Sequence, residues 1–173
     1  MPHGEAQPIA RSSAARVGID GVDGAGKTTF ADELRNLGHP TERLHVDDFF
    51  NPPEVRYRLG RHSSEGFWLD SYDHESLGLA VGQKRATILI VDGLFVHRDE
   101  LVALWNYSVF LDVSFDISVP PMVARDGTNP DPSHASQHRS VEGQKIYFRE
   151  CSPWDRATLV IDNSNLSAPH IRF

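Results

Sequence analysis

Residues 16–29 read RVGIDGVDGAGKTT, and this stretch decides the fold. RVGID is a short, mostly apolar run of the kind that forms a buried strand. Beyond it, KTTFADELRNLG places Phe30, Leu34 and Leu37 on one helical face before a natural stop at Gly38. Between them lies GVDGAGKT, Gly21 to Thr28, which satisfies G-x-x-x-x-G-K-[ST] in the strand–loop–helix context that a phosphate-binding loop (P-loop) requires. The chemistry follows from the residue types. Gly21, Gly24 and Gly26 allow backbone conformations that turn the loop's N–H groups, those of Val22, Asp23 and Ala25 among them, toward an anion. The start of the helix adds its positive dipole end. Lys27 is expected to reach the β- and γ-phosphates of a nucleoside triphosphate (ATP or GTP), the Thr28 hydroxyl to hold Mg²⁺, and Thr29 to donate to a further phosphate oxygen.

Outward from the loop, apolar β-branched runs alternate with helical patterns. RLHVDD (43–48) predicts a second strand, ending in a turn at Pro52 and Pro53, and the Arg-, Gly- and Ser-rich stretch 51–70 reads as loop. TILIVDG (87–93) is continuously apolar, as a strand buried on both faces should be. RDELVALW reads as a helix, and YSVFLDV (107–113) and TLVIDN (158–163) as two further strands. This alternation predicts an α/β fold, the P-loop NTPase three-layer sandwich with a central parallel sheet between helices. Residues 1–15 are polar and small and read as a flexible tail, leaving 16–173 as one domain.

Bulk properties exclude several classes. No apolar run approaches membrane-spanning length in a chain that is 39% hydrophobic. A formal net charge of −7 argues against a nucleic-acid-binding surface, yet a few arginines and lysines can still make a local pocket for a small anionic substrate. The single cysteine, Cys151, excludes an intramolecular disulfide and agrees with a reducing cytoplasm, where it is expected to be buried and inert. The expected partners are small molecules, with no membrane and no nucleic acid, and self-association into a homo-oligomer is left open.

Three acids are candidates beside the loop. Asp92 ends the strand TILIVD and would hold Mg²⁺ if that strand neighbours the first, or else it opens the turn before Gly93. Asp47 and Asp48 end the second strand at the carboxyl edge, where open α/β sheets bind ligands. Asp47 there can accept the proton of an attacking hydroxyl, or the pair caps a helix. Among the other candidates, His97 follows the Asp92 strand and either lines the pocket or caps the next helix. Phe67, Trp68 and Tyr72 either stack on a base or pack the core. His134 and His138 have the i, i+4 spacing of a metal pair, but Pro130 and Pro132 nearby argue against a rigid helix, and no third ligand is evident.

In order along the chain, GIDGVDGAGKTTFADEL, HVDDFFNP, YRLGRHSSEGFWLDSYDHESL, VDGLFVHRDEL, VFLDVSFD and ARDG…HRSVEGQKIYFREC…LVIDN resemble the uridine kinase family, most of all its small bacterial members. The resemblance implies transfer of the γ-phosphate of ATP, sometimes GTP, to the 5′-hydroxyl of a pyrimidine nucleoside. It implies that Asp47 is the general base and that Asp73, within YDH, holds ribose hydroxyls; read alone, Asp73 is a helix N-cap. With Asp73 and Asp47, Tyr72 and His97 make up the expected acceptor site. The resemblance further implies a small lid near 125–140, with Arg125 of ARDG over the phosphates and Arg139 as a second lid arginine; without it, either arginine reads as a solvated side chain. A guanidinium there would stabilise charge on the transferring group.

Two departures stand out. The family carries an insertion around the nucleobase before the Asp92 strand, whereas only GLAVGQKRA separates Leu77 from Thr87 here; either that element is missing or a mobile loop is omitted. Pro120 and Pro121 fall where the family continues a helix, so the helix is expected to start late, with Ser118 as cap and the prolines in its first turn. Other sugar or alcohol kinases of the phosphoribulokinase or pantothenate kinase type remain an alternative. So does a nucleotide-binding regulatory protein that has lost efficient transfer. A GTPase is disfavoured by the lack of an Asn-Lys-x-Asp segment.

Overall fold

Five parallel strands form the centre of the molecule, and a sixth closes one edge antiparallel. The computed structural model describes residues 15–127, 129, 131 and 134–172, and the side chains of 121, 125, 126, 135 and 136 fall outside that description, as does nearly all of the expected 1–15 tail. In chain order the strands are β1 (Ala15–Gly21), β2 (Thr41–His45), β3 (Ile88–Asp92), β4 (Tyr107–Asp112), β5 (Leu159–Asp162) and β6 (His170–Arg172). They lie in the sheet as β2-β3-β1-β4-β5-β6. β1 therefore sits between the strands of two neighbouring crossovers, and the loop that leaves its carboxyl end opens into the crevice where this topology takes ligands.

The pattern of β3 explains the layers. Leu89 and Val91 pack with Phe67, Leu77, Val81 and Leu101 on one face, while Ile90 between them packs with Ile19, Ala31 and Leu111 on the other. Successive side chains of a strand alternate faces, so covering both faces requires the unbroken apolar run. The first face is covered by α3 (Ser64–Asp70), α4 (His74–Gln83), α5 (Asp99–Val102) and α7 (Ala135–Cys151), the second by α1 (Lys27–Arg35). α3 and α7 approach closely at Gly143, where a Cβ would stand 2.6 Å from the Phe67 ring.

Several expectations need correction. The 51–70 segment is not all loop: it holds α2 (Pro53–Arg56) as well as α3, whose cap Ser63 accepts from Gly66 N at 3.0 Å. Asp47 and Asp48 do not end a strand; β2 stops at His45, and both belong to a 3₁₀ turn over Val46–Phe49. The helix expected across RDELVALW is the single turn of α5. α6 (Phe115–Asp126) does not start late: Ser114 is its cap residue, and Ile117 and Ser118 both donate to the Ser114 carbonyl. Pro120 and Pro121 thus lie inside the helix, where each removes one backbone bond. Burial of Ser118, Val119 and Met122 and the stacking of Phe115 on Phe148 outweigh that local cost. His138 sits in α7, a regular helix despite the upstream prolines. Only residues 84–87 join α4 to β3. α8 (Pro153–Arg156) leads into β5.

Candidate active site

The P-loop is locked by its surroundings. Gly24 takes a φ of 75°, and a Cβ there would lie 2.1 Å from the Ser118 carbonyl oxygen, so neither a left-handed backbone nor the packing against α6 admits a side chain. Asp23 donates its backbone N–H to Gln144 Oε1 at 2.9 Å and accepts from the Ser140 hydroxyl at 3.0 Å, tying the loop to α7. Asn163, at the end of β5, donates to the Ala25 carbonyl at 2.7 Å. Lys27 Nζ donates to the carbonyls of Gly21 and Val22 at 2.9 and 2.8 Å. Burial lowers the Lys27 pKa, and the charges of Asp23, Asp20, Asp47 and Asp92 oppose that shift.

A cavity of about 290 Å³ collects Lys27, Thr28, Thr29, Asp47 and Asp92 on its walls, with Met122 and Leu166 at its apolar side. Sequence reasoning placed these five polar residues near one another, and here they share one space. Asp92 is nearly fully buried, and both its oxygens are taken by Arg43, Nε to Oδ1 at 2.7 Å and Nη2 to Oδ2 at 2.8 Å; His45 Nδ1 stands 3.3 Å from Oδ1. Arg43 also donates to Asp32 Oδ1 at 2.6 Å and to the Thr28 carbonyl at 3.3 Å, and its hydrogen bonds to Asp92 raise its pKa. Arg43 was not singled out in the sequence. The signal is in the register: His45 pairs with Asp92, so Arg43, two residues back on the same face, is the diagonal neighbour. The Thr28 hydroxyl and the nearby carboxylates are hard oxygen donors of the kind Mg²⁺ takes, and Asp92, whose oxygens both accept from Arg43, would face the ion through bound water.

Asp47 accepts from the Tyr72 hydroxyl at 2.9 Å. Burial, and then the Asp47 charge, push the Tyr72 pKa well above its ordinary value, so Tyr72 stays a donor to that carboxylate. Tyr72, Phe67 and Trp68 all pack in an aromatic cluster around Phe95 rather than facing an open base site. Asp73 caps α4, with Oδ1 accepting from Ser76 N at 2.9 Å and Oδ2 from the Ser76 hydroxyl at 2.7 Å; these bonds lower its pKa. The expected N-cap is present, and both carboxylate oxygens are engaged by it.

His97 does not line the cavity. It is fully buried, with Nδ1 2.9 Å from Asp20 Oδ2, an oxygen that also accepts from the Tyr147 hydroxyl at 2.5 Å. The other Asp20 oxygen accepts from Gly21 N at 2.8 Å. His97 and Tyr147 therefore orient the residue that sets the start of the P-loop. Arg125 falls in the last turn of α6, and its side chain lies outside the described residues. Arg139 stands over the rings of Tyr57 and Phe67 at 5.2 and 5.0 Å and donates to the Arg56 carbonyl at 3.2 Å. Cys151 is buried, and burial raises its thiol pKa. Among the described residues no group of three or more His, Cys, Asp or Glu could hold a metal ion, and no helix is long and apolar enough to cross a membrane.

Solved structures of several kinases share this fold. A possible uridine kinase from Bacillus stearothermophilus superimposes with a TM-score of 0.66 at 20% identity, over 88% of this chain and 91% of that one. A putative fructose transport system kinase from Silicibacter sp. TM1040 does so at 0.65 and 15%, over 83% and 88% of the two chains. Phosphoribulokinase from Rhodobacter spheroides follows at 0.60 and 13%, over 90% and 74%. At such identities the likeness concerns the fold. No family model and no curated protein sequence matches the chain.

Proposed function

We propose that this protein is a phosphotransferase that moves the γ-phosphoryl group of ATP or GTP to an alcohol hydroxyl of a small molecule. The observation that carries the reading is the shared cavity: Asp47 faces the same space as Lys27, Thr28 and Asp92. Such a site needs a base opposite a phosphate cradle, and little covalent chemistry beyond positioning and charge stabilisation. The P-loop amides and Lys27 bind the triphosphate, Asp23 is held in place through Gln144, and Asp47 takes the proton of the acceptor hydroxyl. The acceptor oxygen forms its bond to the γ-phosphorus as the bond to the β-bridging oxygen breaks and ADP leaves. Thr28 and Asp92 would hold Mg²⁺, which when bound neutralises charge on the phosphate oxygens. Arg125 is the lid arginine of this reading. The single buried cysteine favours a reducing, cytoplasmic setting.

The acceptor implied by the resemblance is a pyrimidine nucleoside. Two observations favour the other reading, a different sugar or alcohol. Asp73 spends both oxygens on its helix cap, and the connection that would carry nucleobase contacts is a direct helix-to-strand link. The test is ADP release from ATP across nucleosides, sugars and other alcohols, with Asp47→Asn as control. Acceptor-dependent release that falls about 10²- to 10⁴-fold in the variant is expected; unaltered turnover would remove Asp47 as base. Silence across the panel would leave a nucleotide-binding regulator instead.

A further inference from the structure

Beyond the Tyr72 ring the acceptor side continues into a stack of aromatic rings and arginines. Tyr72, bonded to Asp47, lies parallel to Phe50 with ring centroids 4.8 Å apart. The Arg56 guanidinium covers Phe50 at 4.2 Å and also faces Tyr57 at 5.3 Å. Arg139 approaches the same Tyr57 from α7 at 5.2 Å and donates to the Arg56 carbonyl. Both guanidinium groups thus face the Tyr57 ring.

Among the described residues no carboxylate lies within ion-pair distance of Arg56 or Arg139, and the Nε of each is buried without a hydrogen-bond partner. The fold treats its buried arginine side chains differently: Arg43 is paired with Asp92 and Asp32, and Arg98 with Glu100. Burial lowers the Arg139 pKa, a shift that Tyr57 opposes and that the Arg56 charge adds to in smaller measure. An oxyanion accepting from both forks would counter that shift, because guanidinium geometry suits carboxylate and phosphate oxygens.

We propose that Arg56 and Arg139 bind an oxyanionic group of the acceptor, a phosphate ester or a carboxylate, while the acceptor's hydroxyl lies at Asp47. This rests on the phosphotransferase reading above and narrows it: the substrate is an anionic alcohol, and Arg139 serves the acceptor rather than the triphosphate.

The test uses matched pairs: glycerol against glycerol 3-phosphate and glycerate, and ribose against ribose 5-phosphate, with uridine as the neutral nucleoside. ADP release is measured for the wild type, Arg56→Gln, Arg139→Gln and the charge-keeping Arg139→Lys. The charged member of a pair is expected to have a kcat/KM at least about tenfold above its neutral partner. The Gln variants should remove that preference through KM for the acceptor, and Lys should keep part of it. Phosphate against carboxylate members identifies which oxyanion is taken. A preference for uridine or the neutral members, or a preference unchanged by both Gln variants, overturns the proposal while leaving the kinase reading standing. In parallel, glycerol 3-phosphate and glycerate are titrated calorimetrically into protein saturated with magnesium and a non-hydrolysable ATP analogue, so that the P-loop is filled. Binding that is lost in the Gln variants, without turnover of any pair, keeps the anion site and sinks the kinase reading. Absence of binding in the wild type sinks the anion site. Thermal midpoints of the variants within a few degrees of wild type show that the fold is intact.

Discussion

On the P-loop side of the cavity each permissive position is held by a distant partner: Gly24 against Ser118, Asp23 by Gln144 and Ser140, Ala25 by Asn163. On the acceptor side the chain from Asn51 to Asp73 relies on short helices and stacked rings, and among the described residues Arg56 and its neighbour Arg139 have no acid within ion-pair distance. A triphosphate presents the same oxygens to every enzyme that uses it, so the donor side can be built once and made rigid. In the proposed reaction the acceptor side matches one particular molecule, whose anionic group would meet Arg56 and Arg139.

Breaking the donor side at its charge should have the largest effect. Lys27→Ala is expected to lower acceptor-dependent ADP release about 10³-fold. Because burial already disfavours the Lys27 charge, the urea midpoint should stay the same or rise; a falling midpoint would make Lys27 a structural residue. Next comes the ion pair behind the cavity. Arg43→Ala leaves Asp92 buried and unpaired, and should cost roughly 3–4 kcal/mol in urea unfolding. A loss below about 1 kcal/mol would mean that the pair is open to water.

The smallest of the three effects probes the acceptor side through pH. His74, behind Tyr72 and beside Arg98, has its pKa lowered to about 4, first by burial and then by the Arg98 charge. In the unfolded chain it protonates near 6.5. The fold therefore has its full stability above about pH 6.5, loses it as pH falls while only the unfolded state takes up the proton, and reaches the end of that loss near pH 4. The expected difference is up to about 3 kcal/mol. His74→Asn should flatten the slope over this window, and an unchanged slope would assign it to the carboxylates instead.

How much was legible in the sequence depended on range. The P-loop was readable because its glycines, lysine and threonine act within eight residues, and β3 because both its faces are covered by apolar neighbours. The 51–70 helices were missed because α2 has four residues and α3 seven, too short for a periodic signal, and because α3 is held by packing on α7 at Gly143, far along the chain. α6 was misread for the same reason: a local rule about proline lost to burial of Val119 and Met122. Asp47 stands out in the sequence for its place near the sheet edge, although the element that carries it is a 3₁₀ turn. Arg43, Gln144 and Arg56 left no local mark, since each acts on a residue that only the register or a helix crossing brings near. His97 was named for the wrong task; an apolar stretch following a strand says that a residue is near the sheet edge, not which way it faces.

The central claim is that Asp47 and the P-loop act on one transferred group. The most direct measurement follows the γ-phosphate of radiolabelled ATP in the presence of a small anionic alcohol. Label appearing in an organic phosphate ester, and lost in both Lys27→Ala and Asp47→Asn, is the predicted result. Label released only as inorganic phosphate, or ester formation that persists in Asp47→Asn, would contradict it.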